Sequence, residues 1–187
     1  MSIKNNDYVS VVYDESRTPK TNYPKQLIGY LIKRFDLKSN TRLLELGCGR
    51  GDFLFEFQNF GFTCSGLDRD MSSAKNDYNL EVKLCDLSSK SFPYSDNSFD
   101  IVYHKSVIEH VYNPQNIMEE TLRVLKPGGK LILTTPNSLM SLTRSPWHIR
   151  EYTPLQISEL MNSFFQNVEL KGVFGNKKVM NYYQKNK

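Results

Sequence analysis

The chain has 187 residues, 39% of them hydrophobic, which is enough for one well-cored domain and short for two. Its formal charge of +4 comes from scattered basic residues, clustered only at Lys177-Lys178 and Lys185/Lys187, so no nucleic-acid partner is expected. No apolar run reaches membrane-spanning length, the first residues lack a signal core, and Cys48, Cys64 and Cys85 show neither CxxC nor zinc-type spacing. The reading is of a soluble, cytoplasmic protein with reduced thiols and no membrane partner.

Residues 1–20 are polar, and Pro24 opens a helix with an apolar face of Leu27, Ile28, Leu31, Ile32 and Phe35. Residues 1–40 thus read as a cap segment and helix, and 41–187 as the core. The first strand, about 41–46, enters Leu43-Leu44-Glu45-Leu46-Gly47-Cys48-Gly49-Arg50-Gly51-Asp52, where an apolar run meets three alternate glycines and a helix start. Glycine admits positive φ and lets a ligand approach bare backbone. The helix start adds N–H groups that favour a carboxylate or phosphate. A dinucleotide fingerprint would need a third glycine where Asp52 stands, and the Gly-Lys-Ser/Thr of a phosphate loop is missing. Backbone donors beside Glu45 suit a zwitterion better than a pyrophosphate.

A helix over 52–59 stops at Gly61, and strand two, 63–67, ends at Asp68-Arg69. A short helix is expected at 72–78. Strand three, 81–85, leads to Asp86-Leu87, and strand four spans 99–104. A helix at 116–124 precedes the breaker Lys126-Pro127-Gly128-Gly129, then strand five at 130–135. A helix at 154–165 and strand six at 168–174 follow, with 177–183 left as a brief strand or a helix. Alternating strands and helices predict an α/β fold with a doubly wound, mainly parallel sheet and a ligand at the strands' carboxyl ends. Asp68, about 20 residues beyond the glycines, stands where such folds place the acid that holds ribose hydroxyls. Asp86 suits an adenine amino group, with the Leu87 backbone beside it.

Phe92-Pro93-Tyr94-Ser95-Asp96-Asn97-Ser98-Phe99-Asp100-Ile101-Val102, Val107-Ile108-Glu109-His110-Val111, Glu120-Thr121-Leu122-Arg123-Val124-Leu125-Lys126-Pro127-Gly128-Gly129 and Thr134-Thr135-Pro136-Asn137 follow the glycine loop in that order. With the loop, they resemble the class I S-adenosylmethionine (SAM)-dependent methyltransferases of small-molecule type. That resemblance implies a Rossmann-like fold, here with a short β6–β7 region, and SAM as cofactor. It implies SAM contacts from Glu45, Gly47, Cys48, Gly49, Asp68, Arg69, Asp86 and Leu87, and from the end of strand four at His104 and Lys105. Family members often carry a small residue where Lys105 stands. The segment before the first helix folds over SAM and acceptor in that family, so Arg17 is assigned to the SAM carboxylate and Tyr13 and Tyr23 to the acceptor.

Methyl transfer from a sulfonium needs alignment and, for a hydroxyl acceptor, a base. Histidine is the natural one near neutral pH. His110, and His148 in Pro146-Trp147-His148-Ile149-Arg150-Glu151-Tyr152-Thr153-Pro154, are the candidate bases, with Trp147 and Arg150 as acceptor contacts. The acceptor is expected to be a small molecule or glycan-type compound methylated on oxygen or nitrogen. Nucleic-acid methylation is an alternative, against which stand the absence of an Asn/Asp-Pro-Pro-Tyr tetrapeptide and of a basic stripe. A SAM-binding regulator without transfer is another. Small-RNA 2′-O-methyltransferases bind a divalent metal through E-x-x-E-H and a later His. Here Ser106 replaces the first glutamate and leaves Glu109, His110 and His148, so no metal is expected.

Overall fold

The computed structural model describes Val12, Ser16 and residues 19–70, 80–88 and 90–186. Tyr13, Arg17 and the expected helix at 72–78 lie outside them. The described residues form α1 (Tyr23–Phe35), β1 (Arg42–Leu46), α2 (Asp52–Asn59), β2 (Thr63–Asp68), β3 (Glu81–Leu84), β4 (Phe99–Lys105), a 3₁₀ turn (Ile108–His110), α3 (Pro114–Val124), β5 (Leu125–Thr134), α4 (Pro154–Asn162) and α5 (Lys177–Asn186). The sheet is all parallel in the order β3-β2-β1-β4-β5. This is the doubly wound α/β architecture expected, with its topological switch between β1 and β4.

Helices start where the sequence supplies a cap. Asn113 accepts the Asn116 amide ahead of Pro114, and Thr153 and Gln156 form a reciprocal capping box before α4. Alternating strand residues divide the core between the two faces. Leu44, Leu46, Leu67 and Val102 pack with Ile117, Met118, Val124 and Ile157 on one side. Leu43, Ile101 and Tyr103 pack with Ile28, Leu31, Leu54 and Phe57 on the other.

Two expectations fail at the C-terminal half. Lys126-Pro127-Gly128-Gly129 is not a break between helix and strand but part of β5. Phe99 pairs with Leu125, pairing resumes at Ile101–Lys130, and the register shift between them accommodates the stretch, with Gly128 at φ 79. Proline is tolerated at such an irregularity, all the more on an edge strand. Residues 168–174, rich in strand-forming types, form no strand, and Leu170, Val173 and Phe174 are exposed. Residues 177–186 are helical. Among the described residues no helix is long and apolar enough to cross a membrane.

Candidate active site

The glycine loop joins β1 to α2 at the carboxyl edge of the sheet. Gly47, Gly49 and Gly51 take φ of 64°, 53° and 85°, the left-handed region open to glycine. At Gly47 a Cβ would lie 2.5 Å from Val107 Cγ2, so the loop packs directly under the start of the 3₁₀ turn. Four of the loop's amides are committed to the protein. Gly47 and Cys48 both donate to the Leu67 carbonyl (2.7 and 3.1 Å), Gly51 to Cys48 (2.8 Å) and Gly49 to Asp68 Oδ2 (2.8 Å). Cys48 is buried, and burial pushes its thiol pKa up, so it lines the loop as a small apolar group.

Carboxylates characterise this edge instead. Glu45, 2% exposed, has an oxygen, Oε2, with no partner. Burial, then the charges of Asp68 and Asp52, raise its pKa well above the usual range, against the pull of the Leu54 backbone amide. Asp68 Oδ1 accepts the Asp70 amide (2.9 Å), which with Gly49 on Oδ2 fixes the carboxylate in place. Asp86 accepts the Ser88 amide (2.9 Å), and the Leu87 carbonyl is held by Asn116 (2.8 Å). Arg69 is exposed next to Asp68.

The two β4 residues part company. Lys105 is half-buried, its Nζ 5.5 Å from the Phe53 ring centre and 5.9 Å from that of Tyr23, which itself stacks edge-on against Phe53 at 6.1 Å. Burial lowers its pKa while Glu109 and Glu45 support its charge, so the ammonium lies in the field of both buried carboxylates. His104 was expected at the edge as well. The strand extends to Lys105, and alternation turns His104 into the core, fully buried, with neither ring nitrogen partnered and its pKa pushed down to about 3 by burial. Its side chain is closed off from a ligand at the edge.

His110 and His148, far apart in sequence, come together. Their rings meet edge-to-face with centroids 4.8 Å apart. His110 Nδ1 lies 3.0 Å from the Trp147 carbonyl, and His148 Nδ1 lies 2.7 Å from Glu151 Oε1. Glu109 is fully buried, with Oε2 accepting from Thr135 (3.0 Å) and Oε1 unpartnered. One ligand atom from each of Glu109, His110 and His148 lies within 4.8 Å of the others. Burial raises the Glu109 pKa and lowers that of His110, the latter also under the charges of His148 and Arg69.

Two segments distant in sequence are knitted to make this cluster. Ile149 and Arg150 amides donate to the Glu109 carbonyl (2.9 and 3.2 Å), and Arg144 donates to the carbonyls of His148 and Ile149. Trp147 therefore contributes its carbonyl to the cluster, while the exposed Arg150 guanidinium stands 5.9 Å from the Tyr152 ring. Glu151, Thr135 and Arg144 were missed from the sequence. Only the i,i+3 pair His148–Glu151 carried a signal, and outside a helix that spacing means little. Two cavities of about 560 and 180 Å³ open at the strands' amino ends, lined by Arg42, Lys83 and Tyr94 and by Asp36, Asp100 and Lys126, away from these residues.

Known proteins resemble the chain in sequence and in fold. The chain is 28% identical over 141 residues to a glycine/sarcosine/dimethylglycine N-methyltransferase of Actinopolyspora halophila, covering 70% of this chain and 25% of that protein. It is 27% identical over 117 residues to the sterol 4-C-methyltransferase strm-1 of Caenorhabditis elegans, covering 58% and 35%. The chain thus spans about a quarter and about a third of these two relatives' length. The crystal structure of YcgJ from Bacillus subtilis superposes with a TM-score of 0.64 at 22% identity, over 76% of this chain and 68% of that one, which shows the shared fold. The methyltransferase-domain family model matches residues 37–187, and the chain belongs to that family, whose methyl donor is SAM.

Proposed function

We propose that the chain transfers the methyl group of SAM to an oxygen or nitrogen of a small-molecule or glycan-type acceptor. The observation that carries this reading is the pair of buried carboxylates with an unpartnered oxygen, Glu45 and Glu109, whose charges both act on Lys105 at the carboxyl edge of the sheet. An orphaned buried carboxylate oxygen is costly without a ligand to meet it.

The residues fit SAM. Glu45 Oε2 is an acceptor for its ammonium, and Asp68 keeps lone pairs beyond its two backbone bonds for ribose hydroxyls. Asp86 and Leu87 border the adenine position, Lys105 is the cation for the methionine carboxylate, and Arg69 flanks Asp68. When bound, SAM supplies an electrophilic methyl group on a sulfonium. The protein then has to align the acceptor and hold its proton. His148 is suited to the second task, because Glu151 fixes its tautomer and orients the ring. Tyr23, near Lys105, and Trp147 and Arg150, in the His148 loop, are assigned to acceptor binding.

Relatives named for glycine, sarcosine and sterol methylation favour a small-molecule acceptor. The three free cysteines agree with action in a reducing compartment such as the cytoplasm. Methyl transfer from labelled SAM into a metabolite and glycan-precursor extract tests the reading, with wild type and His148→Ala in parallel. The expected result is labelled product whose rate falls by about 10²–10⁴ in the variant. SAM binding with no labelled product from any pool would overturn transfer in favour of a binding role.

A further inference from the structure

The turn that follows β3 is fastened to α3 by one side chain. Asn116 Nδ2 donates to the Leu87 carbonyl (2.8 Å) and to the Lys90 carbonyl (3.3 Å). Carbonyls only accept hydrogen bonds, so the amide faces them with its NH₂ group and uses both donors there. The start of the helix fixes Asn116 in turn. Its backbone amide donates to Asn113 Oδ1 (3.3 Å), and its neighbours Ile117 and Met118 are buried in the core. The turn also closes on itself, because the Lys90 amide donates to the Asp86 carbonyl (3.1 Å).

The Leu87 carbonyl and the Ser88 N–H are the two ends of one planar trans peptide group. Asn116 holds the carbonyl end, and the N–H end donates to Asp86 Oδ1 (2.9 Å). A rigid plate pinned at one end therefore aims the carboxylate at its other end. Donation into the carbonyl also polarises the peptide and makes its N–H a stronger donor to Asp86. A side chain on α3 thus acts on the Asp86 carboxylate through the backbone.

We propose that Asn116 is a positioning residue for the adenine base of the methyl donor, acting through the Leu87–Ser88 peptide on Asp86. This role rests on the methyltransferase reading, in which Asp86 and Leu87 border the adenine and Asp86 meets its amino group. A carboxylate oxygen accepts more than one hydrogen bond, so the amino group adds to the partners Asp86 already has. An acceptor fixed in place separates a base with a 6-amino donor from one with a 6-oxo group, which would bring two acceptors face to face. Without Asn116 the peptide is free to rotate and the carboxylate follows it, so selectivity for the base is lost before the fold is.

The test titrates the full chain with S-adenosylhomocysteine and with its deaminated counterpart, S-inosylhomocysteine, by calorimetry. Wild type is expected to favour the adenosyl compound about 10–100-fold, the worth of a hydrogen bond to a charged group. Asn116→Ala, and the isosteric Asn116→Asp that removes both donors, should each lower that preference about 3–10-fold by weakening the adenosyl compound alone. Unchanged affinity for the inosyl compound reports an intact fold. In an Asp86→Asn background, Asn116→Ala should leave the ratio within about twofold, since its effect runs through that carboxylate. Equal weakening of both compounds, or an unchanged ratio, would overturn the positioning role. A preference that still falls with Asn116→Ala in the Asp86→Asn background would overturn the route through Asp86. Binding of neither compound by wild type would overturn the methyl-donor reading on which the role stands.

Discussion

At the amino ends of the strands, charged groups meet their partners. Asp100 accepts both the Arg42 amide and Lys126 Nζ at 2.9 Å, and Arg123 donates to Glu120, Asp96 and the Phe92 and Tyr94 carbonyls. At the carboxyl ends Glu45, on β1, and Glu109, in the 3₁₀ turn after β4, are buried with an oxygen of each unmatched. Both ends carry carboxylates and cations, and what separates these groups is whether their polar atoms are matched. A matched network stabilises the fold, whereas an unmatched buried carboxylate lowers stability and waits for a ligand. The contrast supports the proposal that the ligand meets the carboxyl edge, without reference to any relative.

Substitutions can break that contrast from either side. The largest effect is expected for Gly47→Val, which adds left-handed strain of about 1–2 kcal/mol and a clash with Val107 costing about 1–3 kcal/mol more. Thermal unfolding should shift down accordingly, and calorimetry should find no SAM binding. Glu45→Gln removes the orphaned charge, so the unfolding midpoint should rise while SAM affinity falls about 10–100-fold, the worth of a charged hydrogen bond. Opposite signs for stability and binding are what a merely structural Glu45 would not give.

At the matched end, Arg123→Ala should cost about 1–3 kcal/mol in denaturant unfolding with SAM affinity unchanged. It should also flatten the acid side of the stability profile. The Arg123 hydrogen bond holds Glu120 below its ordinary pKa. The stability from this pair is therefore full above the unfolded carboxylate range and is lost as pH falls through the folded value. Glu45 has the opposite sign: its raised pKa means that its contribution is full below that range and is lost as pH rises. SAM affinity should accordingly strengthen with pH over the window in which Glu45 ionises, seen as proton release in buffers of different ionisation enthalpy. The smallest effect is expected for Lys126→Ala, whose half-exposed pair with Asp100 is worth about 1 kcal/mol or less.

The strands were legible because a parallel sheet buries both faces and leaves short apolar runs in the sequence. The glycine loop was legible because only glycine tolerates its backbone. What sequence missed were matters of one residue or of partners far along the chain. Ending strand four at His104 rather than Lys105 left that histidine at the edge, where alternation places it in the core. Pro127 and Gly128 read as a break because those residues usually are one, yet a register shift on the edge strand absorbs them. The run at 168–174 has strand composition without a partner to pair it. Glu151 behind His148, and Trp147 behind His110, depend on a loop folding back over the 3₁₀ turn, which no local pattern announces.

Titration of SAM into wild type, Glu45→Gln and Arg123→Ala, each with its unfolding midpoint, tests the division between the two edges most directly. Wild type and Arg123→Ala should bind SAM alike despite unequal stability, and Glu45→Gln should bind at least tenfold more weakly while melting higher. Equal SAM affinity in wild type and Glu45→Gln, or no binding by wild type, would contradict the assignment of the carboxyl edge.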